Sequence, residues 1–521
     1  MGVPRFFRFV QDNYGGSVNT RIEEKIDNLC LDMNALIHQW SQYIYGYGEY
    51  EGKYGEKEIE ERRREPEKLE EEMFNLITKQ IEDLTDELKP ERLIVCFDGP
   101  APLAKIAQQR SRRYRAGDYS QNAYGWTSAK FSPGTELMDR LNEHVREYLE
   151  KMGGKLAKRI IYSSVRVPGE GEHKILTYIK EERKTSVIIG NDADLIILGM
   201  ISNKNKKIYV MRLNGNLPPQ VVNTNLLSNL IKKDMNSTNI NDFIILSFMI
   251  GNDFLHSLPE LHDLLYSLPF MIRVYQNLTR QYKNFTLSSS NNINWSNLLV
   301  YLTSLLDLEK LFLIPDENLP IFKQATLSIK DTTYIDPNLF DIVYYRHIFG
   351  IWDSHSSSPD ISKYAISDIC SCWLSTLYWN FLYYLGLNTN NTWQYTFHYT
   401  PLLRSLVPFL SNNLSNIDLI TSPINISTPF LSPLQQLSSI LPIDALYLLP
   451  SDLESQLLSY LPDFYPISFQ SDPFMALYDY QSLALLPFIS VSRLLSAFSR
   501  MSLSSSTLLA NRTESPIFIN S

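Results

Sequence analysis

Apolar residues in the first half of the chain fall into two patterns. Short continuous apolar runs read as strands buried on both faces; runs with apolar residues every three or four positions read as helices packed on one side. "NLCLDMNALIHQW" (28–40) passes from the first pattern into the second. "EKLEEEMFNLITKQIEDLTDEL" (67–88) predicts a long amphipathic helix, and "RLIVCFDG" (92–99) a buried strand ending at Asp-Gly. "RIIYSSVRV" (159–167) predicts a strand, "KILTYIKEE" (174–182) a helix and "SVIIGNDADLIILGM" (186–200) another strand, interrupted by acids. "NDFIILSFMIGNDFLHSLPEL" (241–261) is a helix-like run that stops at Gly251-Asn252-Asp253. Strand and helix in alternation predict an α/β fold, a mostly parallel sheet flanked by helices. Ligands of such sheets bind beyond the carboxyl ends of the strands.

Acidic residues stand at those ends. Asp32 closes "CLD" and Asp98 closes "IVCFD". Glu170 and Glu172 follow "VRVPG", Asp192 and Asp194 follow "VIIGN", and Asp253 follows "FMIGN". Each alone reads as an N-cap or turn residue. Five such places in one chain predict convergence if the strands are neighbours. Seven converging carboxylates require counter-charge, and hard divalent cations supply it through oxygen ligands. Two such ions can flank a phosphodiester. The glycines of "VPGEGEHK" (167–174) let backbone and ligand approach this turn.

Charge sharpens the picture. The 521 residues carry a net charge of −9, with 44% hydrophobic and 20% charged residues, an ordinary globular balance. Yet residues 100–164 hold twelve Lys and Arg against six Asp and Glu. A local basic patch in an acidic protein suits a polyanion held at one place. Within it, "APLAKIAQQRSRRYRAG" (101–117) puts Lys105, Gln109, Arg112 and Arg113 on one helical face. The bland reading is a solvated basic helix; the functional one is a phosphate pocket with forked arginine donors. Cys30, Cys96, Cys370 and Cys372 form neither a disulfide framework nor a zinc spacing, which predicts a reducing, intracellular setting. No apolar run is long enough to span a bilayer, and the N-terminus lacks signal-peptide and myristoylation features.

These motifs together resemble the XRN family of 5′→3′ exoribonucleases. The resemblance rests on "MGVPRFFRF", "LDMNALIH", "FDGPAPLAKIAQQRSRRYRA", "SPGTELM", "VPGEGEHKI", "NDADLIILG" and "IGNDFLHSLPEL". It continues in "WQYTFHYTPLL", "PLQQLSSILP" and "DFYPISF", and on to about residue 499. It implies a PIN- or flap-nuclease-like core that hydrolyses single-stranded RNA bearing a 5′ monophosphate, processively, with two Mg²⁺ or Mn²⁺ ions. The implied metal ligands are Asp32, Asp98, Glu170, Glu172, Asp192, Asp194 and Asp253. The implied 5′-phosphate pocket is Lys105, Gln109, Arg112 and Arg113. His38 matches the histidine that stacks on the first base, and Trp393 is assigned as its aromatic partner, with Asn391 where the family has a second tryptophan.

The expected organisation is a nuclease core at 1–264, a linker at 265–340, a second, mainly helical region at 341–499 packed against the core, and a weakly ordered tail at 500–521. The long C-terminal extension of larger members is missing, so a compact monomer is expected, cytoplasmic rather than nuclear, with a viral origin left open. A DNA flap or 5′ exonuclease, and an inactive RNA-binding relative, stand as alternatives. The basic helix and second region argue against the first; the complete acid set argues against the second.

Overall fold

A computed structural model describes the chain except residues 1–2, 4, 48–51, 63, 117–126, 180–183, 204, 216, 262, 309–325, 330–331, 354–362, 388, 475, 477–481 and 521. The chain divides into two compact units. One comprises residues 14–228, 429–467 and 487–521; the other comprises 1–13, 229–428 and 468–486.

The first unit is built on an eight-stranded sheet. Its strands are β1 (Val18–Asn19), β2 (Asn28–Asp32), β3 (Arg92–Cys96), β4 (Arg159–Ser163), β5 (Thr185–Ile189), β6 (Lys207–Asn214), β7 (Leu217–Asn223) and β8 (Ile517–Asn520), in the order β1-β7-β6-β5-β2-β3-β4-β8. The five strands from β6 to β4 are parallel; the others are antiparallel to their neighbours. "NLCLD" and "RLIVC" are buried at every position, as strands covered on both faces must be. Leu29, Leu31, Leu93 and Val95 face one layer of helices, α1 (Met33–Tyr45), α2 (Pro66–Leu88) and, beyond α3 (Leu103–Arg115), α4 (Glu136–Leu156). Each fully buried aliphatic side chain here contributes about 1.5–3 kcal/mol. On the other face, α5 (Gly171–Ile179) packs on β2 and β3, and α6 (Asp194–Ser202) on β6.

Strand order decides where a ligand belongs. The chain steps from β2 to β3 to β4 in one direction, then crosses back to β5 on the far side of β2. The connections diverge between β2 and β5, the switch point where α/β sheets open a crevice.

The compact units divide the chain differently from the expected regions. Residues 429–467 and 487–521 join the sheet-bearing unit, while 1–13 and 229–264 fall in the other. In the sheet-bearing unit, Leu434, Leu437, Leu453, Leu457 and Leu494 pack with Leu103 and Ile106 of α3. Residues 500–521 are not a loose tail among the described residues: they hold the helix Ser505–Ala510 and β8, whose Ile517–Asn520 register runs against Tyr162–Arg159 of β4. Their Ser-rich composition hid a strand whose partner is β4, some 350 positions away. The stretch read as a linker likewise contains the helices Leu264–Gln281 and Trp295–Asp307.

The second unit is mainly helical. Buried Asp242 accepts from the Tyr275 and Thr286 hydroxyls and from the Ser288 backbone and side chain, joining Ile240–Met249 to Leu264–Gln281. Among the described residues, no helix is long and apolar enough to cross a membrane.

Candidate active site

The carboxyl ends of β2, β3, β4 and β5 carry six of the seven predicted acids. Asp32 is the last residue of β2 and caps α1, accepting from the Asn34 N–H at 3.2 Å. Asp98 lies two residues past β3; its carboxylate accepts from the Gly171 N–H at 2.7 Å and from the Asn34 amide. Glu170 and Glu172 flank Gly171, the first residue of α5. A methyl at Gly171 would lie 3.0 Å from Asp32 Oδ1 and 3.3 Å from Asp98 Oδ1, so glycine brings the helix start directly against both carboxylates. Asp192 follows β5, and its Oδ1 accepts from the Asp194 N–H at 3.3 Å as α6 begins.

The turn into α5 is braced by backbone. The Gly99 N–H donates to Gly169 O at 3.0 Å, and the Gly169 N–H to Pro100 O at 2.8 Å. Gly169 has φ +108°, a conformation that favours glycine. Buried Lys174 ties both neighbouring loops together, donating to Phe97 O at 2.8 Å and Ser164 O at 3.0 Å. At the far end of α5, buried Lys206 donates to Ile179 O and Arg92 to Tyr178 O. Acids at the start of a helix and cations at its end both suit its dipole.

Electrostatics follow from this crowding. Burial, then the Asp98 charge, push Asp32 well above the ordinary carboxylate range. Burial and Glu170 do the same to Glu172, with Asp192 and Asp32 adding to it. Asp98 is raised by burial and Glu170, against the opposing pull of the Gly171 N–H and Lys105. Carboxylates this costly to ionise together are suited to cationic ligands. Burial also lowers the neighbouring Lys174 to about 8. Glu170, Glu172 and His173 present ligand atoms within 4.8 Å of one another. His173, held neutral by burial down to about 3, was missed in the sequence although it stands in "VPGEGEHK".

Lys105 links this cluster to the basic helix. Its Nζ lies 2.7 Å from Glu170 Oε2, both side chains being buried. Gln109, Arg112 and Arg113 follow along the same face of α3 and are half-buried. The opposite face packs inward: Leu103 and Ile106 enter the apolar core, while Arg110 donates to Ser439 O and Phe464 O. His38, on α1, lies near enough to Arg112 and Arg113 that their charges, added to burial, lower it to about 4. Its ring meets Phe131 edge-on at 6.2 Å.

Asp253 and Trp393 belong to the other unit, so the seven acids divide six and one. Asp253 sits in the tight loop after Ile240–Met249, where Gly251 (φ +99°) turns the chain and Phe254 packs against Trp379, Tyr383 and Tyr384. Trp393 is half-buried, its indole N–H donating to Thr376 Oγ1 at 3.1 Å, whereas Trp373 and Trp379 are buried completely. Asn391 is engaged by Thr428 O through its amide.

Comparison with known proteins gives two family matches. The family model described as XRN 5′-3′ exonuclease N-terminus matches residues 1–214, and that described as Xrn1 helical domain matches residues 342–518. Among curated relatives, 5′-3′ exoribonuclease 1 of Homo sapiens is 24% identical over 95% of this chain and 34% of that protein. Its namesake in Schizosaccharomyces pombe is 27% identical over 66% of this chain and 28% of that protein. The 5′-3′ exoribonuclease 2 homolog of Caenorhabditis elegans is 27% identical over 55% of this chain and 39% of that protein. The chain thus spans about a third of the length of the curated relatives it matches.

Proposed function

Since the chain belongs to the XRN family of 5′-3′ exonucleases, we propose that it hydrolyses single-stranded RNA from a 5′-monophosphorylated end, releasing 5′ mononucleotides. The observation that carries this reading is the gathering of Asp32, Asp98, Glu170, Glu172 and Asp192 beyond the sheet's switch point, joined through Lys105 to the basic face of α3.

The donor set fits hard divalent cations: carboxylate oxygens, raised in pKa by burial and mutual repulsion, around a helix start without a side chain. Two Mg²⁺ or Mn²⁺ ions supply the positive charge that the attacking and leaving oxygens of a phosphodiester require. Asp32, Asp98, Glu170, Glu172, Asp192 and Asp194 would hold them. Gln109, Arg112 and Arg113, with Lys105, grip the terminal phosphate through charge-assisted hydrogen bonds. A cap or triphosphate is too large for such a grip. Water adds to phosphorus and the bond to the 3′ oxygen breaks, that oxygen taking the proton. The shortened RNA therefore carries a new 5′ monophosphate, the same group the pocket just held, which favours processive digestion. Neutral His38 would stack on the first base; stacking is worth roughly 1–3 kcal/mol per base and tolerates any sequence.

The test supplies Mg²⁺ with RNAs carrying a 5′ monophosphate, triphosphate or hydroxyl, and with single-stranded DNA. Rapid shortening of the monophosphate RNA alone, from its 5′ end, is expected. Release of nucleotides from a labelled 3′ end, or preferential digestion of DNA, would overturn the reading.

A further inference from the structure

Arg113 is oriented by two hydroxyls. Its Nη1 donates to Ser128 Oγ at 3.0 Å and its Nη2 to Ser132 Oγ at 3.1 Å. Ser132 opens the "SPGTELM" stretch and Ser128 lies four residues before it; the site described so far gives this segment no task. The segment is well anchored. Thr127 caps the short turn Ser128–Phe131, its hydroxyl accepting from the Ala129 N–H, and Ser132 is 2% exposed. The Ser132 carbonyl accepts from the Thr135 N–H at 3.2 Å and hydroxyl at 3.0 Å. Between the serines, Phe131 meets the edge of His38. One short segment therefore touches two members of the proposed 5′ pocket, the cation and the stacking ring.

The chemistry of the acceptors matters. A guanidinium is a planar fork of five N–H donors, and its plane decides which of them face a bound oxyanion. Without acceptors, a long arginine side chain loses rotamer entropy on each binding event. A carboxylate at either serine would hold the plane equally well, but would cancel the charge that a phosphate seeks. Hydroxyls fix the plane and leave the charge intact.

We propose that Ser128 and Ser132 are positioning residues that hold the Arg113 fork for a terminal phosphate and so set the preference for 5′-phosphorylated ends. The inference rests on the pocket reading above and deepens it. The alternative role is structural: the serines satisfy a half-buried arginine and nothing more.

The experiment measures kcat and KM separately on 5′-monophosphate and 5′-hydroxyl RNA of one sequence. It compares wild type, Ser128→Ala, Ser132→Ala and the double variant, each with and without Arg113→Ala. The double variant is expected to lower the ratio of kcat/KM between the two ends roughly tenfold or more, mainly through KM, as for loss of hydrogen bonds to a charged group. Threonine at either position restores the ratio. In the Arg113→Ala background the serine changes have no further effect on it. Equal losses on both ends, or the same loss without Arg113, overturn the proposal. A wild type indifferent to the 5′ group overturns the pocket reading and this inference together. A discriminating wild type whose ratio survives both alanines overturns the positioning role alone. Should the double variant fail to melt cooperatively, Ser128→Ala, at a half-buried position, decides the matter through the same ratio.

Discussion

Glu172 has Glu170, Asp192 and Asp32 around it, and burial adds to their repulsion. Glu172→Gln removes one charge without changing shape. In the folded protein the carboxyl is raised above its ordinary value of 4.5, so its contribution to stability is complete below that value and is lost as pH rises. In chelator, Glu172→Gln is therefore expected to become progressively more stable than wild type above about pH 4.5, read from unfolding midpoints. With Mg²⁺, its hydrolysis rate should fall about a thousandfold, or ~4 kcal/mol of transition-state stabilisation. Near-normal turnover would remove Glu172 from the mechanism. His38 shifts the other way, lowered from 6.5 to about 4 by burial and then by Arg112 and Arg113. Its contribution is present above 6.5 and is lost as pH falls through 4. Its imidazole resonances should titrate near pH 4; an inflection near 6.5 would mean that the ring is solvated and away from the arginines.

Among elements, the start of α5 is the most constrained. Gly99 and Gly171 both abut the turn that carries Glu170, but their neighbours differ. A methyl at Gly99 would lie 1.9 Å from the Val167 carbonyl oxygen, which is backbone and cannot swing aside. Gly99→Ala is expected to cost at least ~3 kcal/mol in denaturant unfolding. A methyl at Gly171 meets the carboxylates of Asp32 and Asp98 at 3.0 and 3.3 Å and the Cys96 carbonyl oxygen at 3.3 Å, tight contacts that shifts of a few tenths of an ångström relieve, unlike the 1.9 Å clash at Gly99. Gly171→Ala is therefore expected to fold, with stability changed by about 1 kcal/mol, while the Mg²⁺ concentration for half-maximal activity rises roughly 10- to 100-fold. If both variants lost stability equally and kept the metal response, the close approach at Gly171 would be packing alone.

Across the sheet-bearing unit, residues 511–520 act as an edge strap. β8 covers the outer edge of β4, and Glu514 reaches the loop that leads to Glu170: its N–H donates to Arg166 O at 3.0 Å, and its carboxylate accepts from the Ser164 hydroxyl at 2.7 Å. Removing residues 511–521 is expected to cost about 2–4 kcal/mol in unfolding free energy, from Ile519 and these hydrogen bonds. It also bares a strand edge, so light scattering should reveal association. Unchanged stability and a monodisperse product would show that the strap is dispensable.

Much of this protein was legible locally. Apolar runs such as "RLIVC" and amphipathic ones such as "EKLEEEMFNLITKQIEDL" name strand and helix because burial on two faces or one leaves its own period in the chain. Six of the acids stand at the strand ends or helix starts where those runs placed them, and helical spacing puts the basic residues of α3 on one face. Tertiary structure decided what no period records. It placed β2 between β3 and β5, which turned scattered strand ends into one crevice. It paired Lys105 with Glu170 and brought Ser128 and Ser132 to Arg113 across gaps of 15 and 19 residues. It drew residues 429–467 and 487–521 into the sheet-bearing unit and made a Ser-rich end into a sheet strand. These contacts join segments far apart in the chain, and their free energy comes from the packing of the whole unit, so no single stretch carries a signal for them.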